Sequence, residues 1–206
     1  MEPDVRTTHV LLLRHAQTTA PNIWHGAESD VGLSEHGHKQ ARRLATALVH
    51  AAPVVVVTSG MRRAIETARP IADACGVPFQ VEPELRERRI GSLCGRPFEG
   101  QELWEETLRH WKDGDTSFAP PGAESFDDMR QRILPVWHRL AQQHAGGTYV
   151  VVTHGGVVRT LVLSLERGVG DWNEFHCQNL ALHDLVHISG EWRFRGIHHL
   201  STSIGT

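Results

Sequence analysis

The chain has 206 residues, of which 40% are hydrophobic and 22% charged, a composition typical of one globular domain and not of a disordered protein. Its formal net charge of −3 disfavours a protein that binds nucleic acid or anionic membranes. Three widely spaced cysteines, Cys75, Cys94 and Cys177, predict reduced thiols in a cytoplasmic protein. The apolar run near the N-terminus, Val10–Leu13, is too short to predict a signal peptide or a membrane span.

Four short runs rich in Val and Leu predict β-strands, at residues 9–15, 54–59, 79–82 and 148–154. Three of them contain stretches without any polar alternation: Val10–Leu13, Val54–Val57 and Val150–Val152. Strands of this kind are buried on both faces, as in a parallel sheet covered by helices.

Helical patterns separate these runs. Ser34 is a candidate N-cap for a helix that reaches the apolar residues near 48, and the pattern at 61–76 ends at Gly76, a typical C-terminal glycine. Pro70 inside that second pattern predicts a kink or a division. Further helices are predicted at 124–143, which carries one apolar stripe, and at 155–168.

Alternating strands and helices predict an α/β fold, and we expect one domain over residues 1–206. The architecture is a three-layer α/β/α sandwich whose central sheet is mainly parallel, with helices on both faces. A predicted hairpin that turns at Ser189-Gly190 adds one antiparallel edge.

Residues 91–123 do not fit the alternation. Gly and Pro residues bound a short helical pattern that carries Trp104 and Trp111, with Phe118 following. This excursion is either a lid over a site or a surface elaboration with its own small core.

Polar residues follow the strands where ligands bind in α/β sheets, beyond the carboxyl ends. The first run ends at Arg14-His15, the second at Ser59 just before Arg63, and the fourth at His154, followed by Gly155. Small residues in the following loops allow backbone N–H groups to approach an anion.

This set of side chains suits phosphoryl transfer. A neutral imidazole is a competent nucleophile toward phosphorus, and Arg binds two phosphate oxygens through its planar fork. Fixed positive donors stabilise the negative charge of the transition state. Glu87, after the third strand, is the candidate acid that protonates the leaving alkoxide, although Arg86, Arg88 and Arg89 crowd it and a paired carboxylate is a poorer acid.

Four motifs resemble the signatures of the histidine phosphatase superfamily, the phosphoglycerate-mutase-like group, in its bacterial phosphatase branch. They occur in the family's order, as RHAQT at 14–18, SGMRRAIETA at 59–68, ELRERRIGSLCG at 84–95 and THGG at 153–156. The resemblance runs from about residue 9 to about 200. It implies a metal-independent phosphomonoesterase with no cofactor.

The resemblance implies a role for each matching residue. His15 is the nucleophile that becomes phosphohistidine, and Arg14, Arg63 and His154 bind the phosphate. Glu87 is the proton donor that later activates water.

The sequence departs from the family pattern at several positions. Ala16 replaces the usual Gly, and Pro21 stands where an Asn is common, so that Asn22 comes one residue late. His25 stands at a position that can face the substrate. The candidate substrate-binding residues are therefore Gln17, Asn22, His25, Gly26 and Gly155.

Two other functions share these residues. A phosphoglycerate-mutase-type isomerase would return the phosphoryl group to its substrate, and a non-catalytic protein would only bind the phosphate ligand. We expect a hydrolase that acts on a small-molecule phosphate ester, without a nucleic-acid or membrane partner.

The fifteen histidines include no HExxH pattern and predict no metal site. The predicted helices have exposed faces that allow a homodimer. The sequence does not identify the ester.

Overall fold

A computed structural model describes residues 7–165, 172, 175 and 177–198. These residues form six strands and five α-helices, with single 3₁₀ turns between some of them. The elements in chain order are β1 (Thr8–Arg14), α1 (Glu35–Leu48), β2 (Val55–Thr58), α2 (Arg62–Cys75), β3 (Phe79–Val81), α3 (Glu102–Lys112), α4 (Phe126–Gln143), β4 (Thr148–Thr153), α5 (Gly155–Leu165), β5 (Leu182–Ile188) and β6 (Glu191–His198).

All six strands form one sheet in the order β3-β2-β4-β1-β5-β6. The pairs β3–β2, β2–β4 and β4–β1 are parallel, whereas β5 runs antiparallel to both β1 and β6. The predicted mainly parallel sheet with an antiparallel edge is therefore confirmed.

Helices cover both faces of the sheet. On one face, α1 and α2 bury Leu44 and Ile71 against the strands. On the other, α4 and α5 bury Trp137 and Leu161. Apolar residues of the central strands face each side in alternation, since successive strand side chains point to opposite faces. These layers are the predicted α/β/α sandwich.

The local signals agree with the structure in most places. The Ser34 side chain accepts the backbone N–H of Gly37 and caps α1, and Gly76 ends α2 in the left-handed conformation at φ +66°. The β5–β6 hairpin turns at Ser189 and Gly190, both with positive φ. Pro70 lies inside α2 without dividing it.

Two expectations change at the ends of elements. The apolar run predicts Val54 within a buried strand, but β2 begins at Val55, and Val54 is 48% exposed. It precedes the strand, and its backbone N–H donates to the Thr148 carbonyl at 2.8 Å. The predicted helix at 155–168 is confirmed as far as Leu165, and residues 166–168 lie outside the described residues.

The excursion at 91–123 packs against the main body of the fold. Trp111 of α3 is 1% exposed and belongs to the same apolar cluster as α4 and α5, so this segment has no separate small core. Trp104 and Phe98 from the same segment line the cavity described below. In the part of the chain that the structure covers, no helix combines the length and apolarity needed to cross a membrane.

We expect Val56→Ala to lower the free energy of unfolding by about 2 to 3 kcal/mol, because Val56 is fully buried in β2 and its truncation leaves a cavity. Val54→Ala is the matched control, because it removes the same atoms from a half-exposed side chain two residues earlier. We expect it to change the free energy of unfolding by less than about 0.5 kcal/mol. Urea unfolding measures both. Equal losses would contradict the burial pattern of β2.

Candidate active site

The register of the parallel strands places the predicted motifs side by side. Arg14 at the end of β1 pairs with Thr153 at the end of β4, so that His15 and His154 follow neighbouring strands. Their ring centroids lie 5.3 Å apart. The chain leaves β1 for α1 on one face and leaves β4 for α5 on the other. A crevice opens where the helices that follow two adjacent strands lie on opposite faces of the sheet. Such a crevice is the usual ligand site of these sheets.

His15 is a buried, neutral imidazole with a defined tautomer. Its Nδ1 lies 2.7 Å from the Ala16 carbonyl oxygen, and because a carbonyl only accepts, Nδ1 carries the proton. Burial holds the pKa of His15 well below its usual value, and the Arg14 and Arg63 charges lower it further. The Nε2 lone pair is therefore left for a ligand, because no described residue bonds it.

The second histidine, His154, is held by Ser59. The Ser59 hydroxyl lies 2.7 Å from His154 Nε2 and also accepts the Met61 backbone N–H. A hydroxyl that accepts from Met61 can donate to Nε2, which leaves the proton on Nδ1. That nitrogen is buried without a hydrogen-bond partner among the described residues. Burial lowers the pKa of His154 well below its usual value, so the ring is neutral.

Arg14 and Arg63 are fixed from outside the crevice. Arg14 Nη1 donates to the Cys177 carbonyl at 2.8 Å, while its Nε is buried without a partner among the described residues. Arg63 is 1% exposed, and its two Nη groups donate to the Ser29 and Gly26 carbonyls. Neutral acceptors hold both guanidiniums, so neither charge is cancelled by a carboxylate contact.

The Glu87 side chain, from the loop after β3, reaches the N-terminus of α5. Its Oε1 accepts the Gly156 N–H at 3.1 Å and the Arg88 N–H at 2.8 Å. A Cβ on Gly156 would lie only 2.5 Å from this oxygen, so glycine is needed for the close approach.

The arginines that crowd Glu87 in the sequence take other partners. Arg132 of α4 pairs with Glu124 at 2.9 Å, and Arg86 lies 3.7 Å from the same carboxylate. Glu124 also accepts the Arg89 N–H. No ion pair within the described ranges includes Glu87. The network around Glu124 therefore fixes the loop that carries Glu87 and leaves Glu87 free of a direct salt bridge.

These side chains meet in one cavity of about 300 Å³. His15, Arg14, Arg63 and Glu87 all line it, and His154 lies beside His15. Apolar and aromatic residues form the rest of the wall, with Trp24, Phe98, Trp104 and Trp172 prominent among them. Trp104 contacts Trp24 and Trp172 in edge-to-face geometry, so the aromatic wall is continuous.

The candidate substrate-binding residues divide into two groups. His25, Gly26 and Gly155 line the cavity, whereas Gln17 and Asn22 are not among its lining residues. Gln17 accepts the Ser34 hydroxyl, and Asn22 is exposed. His25 donates through Nε2 to the Ala20 carbonyl at 2.8 Å, and burial lowers its pKa.

Sequence reasoning assigned no role to three further residues that line the cavity. Asn179 donates to the His15 carbonyl at 2.7 Å and so fixes the backbone of the motif. Arg88 and Arg159 bring two more guanidiniums to the wall. The sequence around Asn179 has no hydrophobic periodicity, so no sequence pattern indicated that this residue belongs to the site. The only sequence feature that indicated Arg159 is its position one helical turn after Gly155-Gly156.

Across the described residues, no group of three or more His, Cys, Asp or Glu side chains could hold a metal ion. The fifteen histidines are spread over the molecule, and His15 and His154 have Arg14 and Arg63 as neighbours rather than carboxylates. The crevice is built for an anion.

A family model described as the histidine phosphatase superfamily, branch 1, matches residues 10–199. The chain belongs to this superfamily. It is 38% identical over 165 residues to a metal-independent phosphoserine phosphatase from Arabidopsis thaliana, an alignment that spans 77% of this chain and 68% of the relative. It is 33% identical over 171 residues to a glucosyl-3-phosphoglycerate phosphatase from Mycolicibacterium vanbaalenii, spanning 78% and 75% of the two chains.

Solved structures of the superfamily share the fold. A native mycobacterial glucosyl-3-phosphoglycerate phosphatase superposes with a TM-score of 0.78 at 28% identity, covering 92% of this chain and 97% of that one. A protein named mycobacterial hydrolase 1 gives a TM-score of 0.80 at 29% identity, covering 93% and 98%. The sandwich predicted from strand and helix alternation is thus the fold of this superfamily.

Gly156→Ala tests the position of Glu87. The new Cβ would displace the carboxylate, whereas Ala itself is a better helix former than Gly, so we expect the unfolding midpoint to stay near that of the wild type. We expect kcat/KM to fall about 100-fold on an alkyl phosphate and less than about tenfold on p-nitrophenyl phosphate, whose leaving group needs no acid. Glu87→Gln serves as the reference variant. Equal losses on both esters would contradict the acid role.

Proposed function

We propose that this chain is a metal-independent phosphomonoesterase that hydrolyses a small phosphate ester through a phosphohistidine on His15. The observation that carries the proposal is the tautomer of His15: its Nδ1–H is bound to the Ala16 carbonyl, which leaves Nε2 as the unprotonated nitrogen of a neutral ring that lines the cavity. Attack by Nε2 on phosphorus forms the N–P bond as the ester P–O bond breaks.

Positive donors stabilise the transferring group. Arg14 supplies its unpartnered Nε, Arg63 adds its charge from the wall of the same cavity, and the unpartnered His154 Nδ1 donates to a phosphoryl oxygen. Because these groups are held by carbonyls and by Ser59, they need no rearrangement as charge spreads over the phosphoryl oxygens. The neutral state of both histidines follows from their burial, and the neighbouring arginines add to it.

Glu87 is the proton donor for the leaving alkoxide and then the base for water. The Gly156 N–H holds the carboxylate at the cavity wall, and no described cation forms a salt bridge with it. Proton transfer to the ester oxygen releases the alcohol, and removal of a proton from water allows hydroxide to displace phosphate from His15. The cycle returns both residues to their starting states.

His25, Gly26 and Gly155 contact the substrate from the cavity wall in this proposal. Gln17 and Asn22 support the surrounding loops, since neither lines the cavity. The phosphatase names of the two curated relatives favour hydrolysis over isomerisation. The three cysteines are free thiols, which supports a cytoplasmic location.

Incubation with p-nitrophenyl phosphate and with alkyl phosphates in the presence of EDTA tests the function. We expect release of inorganic phosphate that EDTA does not reduce, and His15→Ala should lower it by a factor of about 10⁴ or more. Phosphate binding without turnover would contradict catalysis. Conversion of 3- to 2-phosphoglycerate without phosphate release would instead establish a mutase.

A further inference from the structure

Two sets of residues with different chemistry line the cavity. One set, at the ends of the strands, carries the groups assigned to phosphoryl transfer, among them Arg14, His15 and Arg63. A second set is apolar and comes from the loop after β1 and from residues 90–104: Pro21, Ile23, Trp24, Ile90, Phe98 and Trp104. The proposed catalytic cycle uses none of these apolar side chains.

Backbone hydrogen bonds join the two segments that carry the apolar set. The Trp24 N–H donates to the Arg96 carbonyl at 2.8 Å, and the Gly95 N–H donates to the Trp24 carbonyl at 2.8 Å. The Phe98 N–H donates to the Asn22 carbonyl at 3.4 Å. The apolar set is therefore held in place before any ligand binds, which reduces the entropy lost on binding.

The aromatic rings of this set contact one another edge to face. The centroids of Trp24 and Phe98 lie 5.2 Å apart with the ring planes at 87°, and those of Trp24 and Trp104 lie 5.2 Å apart with the planes at 61°. A flat ring of a ligand can join such a group through further edge-to-face or offset-stacked contacts. These contacts stabilise aromatic pairs beyond the burial of apolar area.

The exposure of Phe98 distinguishes this wall from core packing. Phe98 is 43% exposed, whereas Trp111 of the same excursion is 1% exposed and belongs to the apolar core. An aromatic side chain that lines a cavity and remains in contact with water is stabilised when an apolar group of a ligand covers it. The excursion thus supplies one aromatic anchor to the core and a separate aromatic surface to the cavity.

The aromatic wall begins next to the group that protonates the leaving alcohol. Arg88 follows Glu87 directly, and its guanidinium carbon lies 5.1 Å from the centre of the Trp104 ring. Glu87, Arg88 and Trp104 all line the cavity. The ester oxygen must lie at Glu87 to receive a proton, so the alcohol portion of the substrate extends along the wall that Trp104 forms.

We propose that the alcohol portion of the preferred substrate carries an aromatic ring, which packs against Trp24, Phe98 and Trp104. The inference rests on the proposed phosphatase function and adds a substrate class to it. Small-molecule sites range from about 300 to 1,000 Å³. A cavity of about 300 Å³ is at the lower end of that range, so it suits a single ring beside the phosphoryl group.

Three phosphates of primary alcohols test this proposal: ethyl phosphate, 2-cyclohexylethyl phosphate and 2-phenylethyl phosphate. Their leaving alkoxides have similar basicity, so the demand on the acid Glu87 is the same and differences in rate report the cavity. We expect kcat/KM for 2-phenylethyl phosphate to exceed that for ethyl phosphate by about 10- to 100-fold, mainly through KM, as for the burial of one aromatic ring. The value for 2-cyclohexylethyl phosphate should lie between them.

Variants of Phe98 locate the preference. Phe98→Ala should lower the ratio of kcat/KM for 2-phenylethyl phosphate to that for ethyl phosphate by at least about threefold, and Phe98→Tyr should retain the ratio because the ring remains. Phe118→Ala is the matched control, since it removes the same ring from the same excursion. Phe118 stacks on His110 at 3.8 Å and is not among the residues that line the cavity, so the ratio should not change.

A wild-type ratio near one, or a ratio that Phe98→Ala leaves unchanged, would overturn the inference, while hydrolysis of ethyl phosphate upholds the phosphatase. Hydrolysis of 2-cyclohexylethyl phosphate at a kcat/KM equal to or above that of 2-phenylethyl phosphate would also overturn it. So would a higher kcat/KM on 3-phosphoglycerate than on 2-phenylethyl phosphate, in favour of a polar, anionic alcohol portion. Hydrolysis of none of these four esters would count against the proposed function itself.

Discussion

The parallel pairing of β1 with β4 is the constraint on which the site depends. The register that sets Arg14 opposite Thr153 brings two residues that are far apart in the sequence, His15 and His154, to a ring separation of 5.3 Å. A shift of β4 by one residue against β1 would turn its side chains to the other face of the sheet and separate the two rings. The His15 N–H donates to the Thr153 carbonyl at 2.9 Å, so the parallel ladder continues into the motif and fixes the catalytic geometry.

Burial and charge act on the two histidines in the same direction. Desolvation and the neighbouring arginines keep both imidazoles neutral, which leaves His15 able to attack and His154 able to donate from Nδ1. The arginines themselves are anchored by backbone carbonyls. A site that holds several cations without matching carboxylates is preorganised for an anion, and binding that anion relieves the repulsion among the cations.

The sequence predicted what depends on local pattern. Continuous apolar runs indicated the parallel strands, and their ends located His15 and His154, because ligand sites of such sheets lie beyond the carboxyl ends. Side chains placed by irregular loops, such as Asn179, had no periodic signal. That Glu87 forms no salt bridge among the described residues depended on Glu124 and on Arg132 of α4, which the sequence spacing does not encode. Val54 belonged to an apolar run by type, yet the strand begins one residue later.

Isolation of the covalent intermediate tests the account most directly. Rapid acid-free quenching during turnover of a ³²P-labelled ester, followed by proteolysis and comparison with phosphohistidine standards, locates the phosphoryl group. Because Nδ1 of His15 donates to the Ala16 carbonyl, the adduct should be acid-labile and attached to Nε2 of His15. A phosphoryl group on Nδ1, on another residue, or turnover with no trapped adduct would contradict the account.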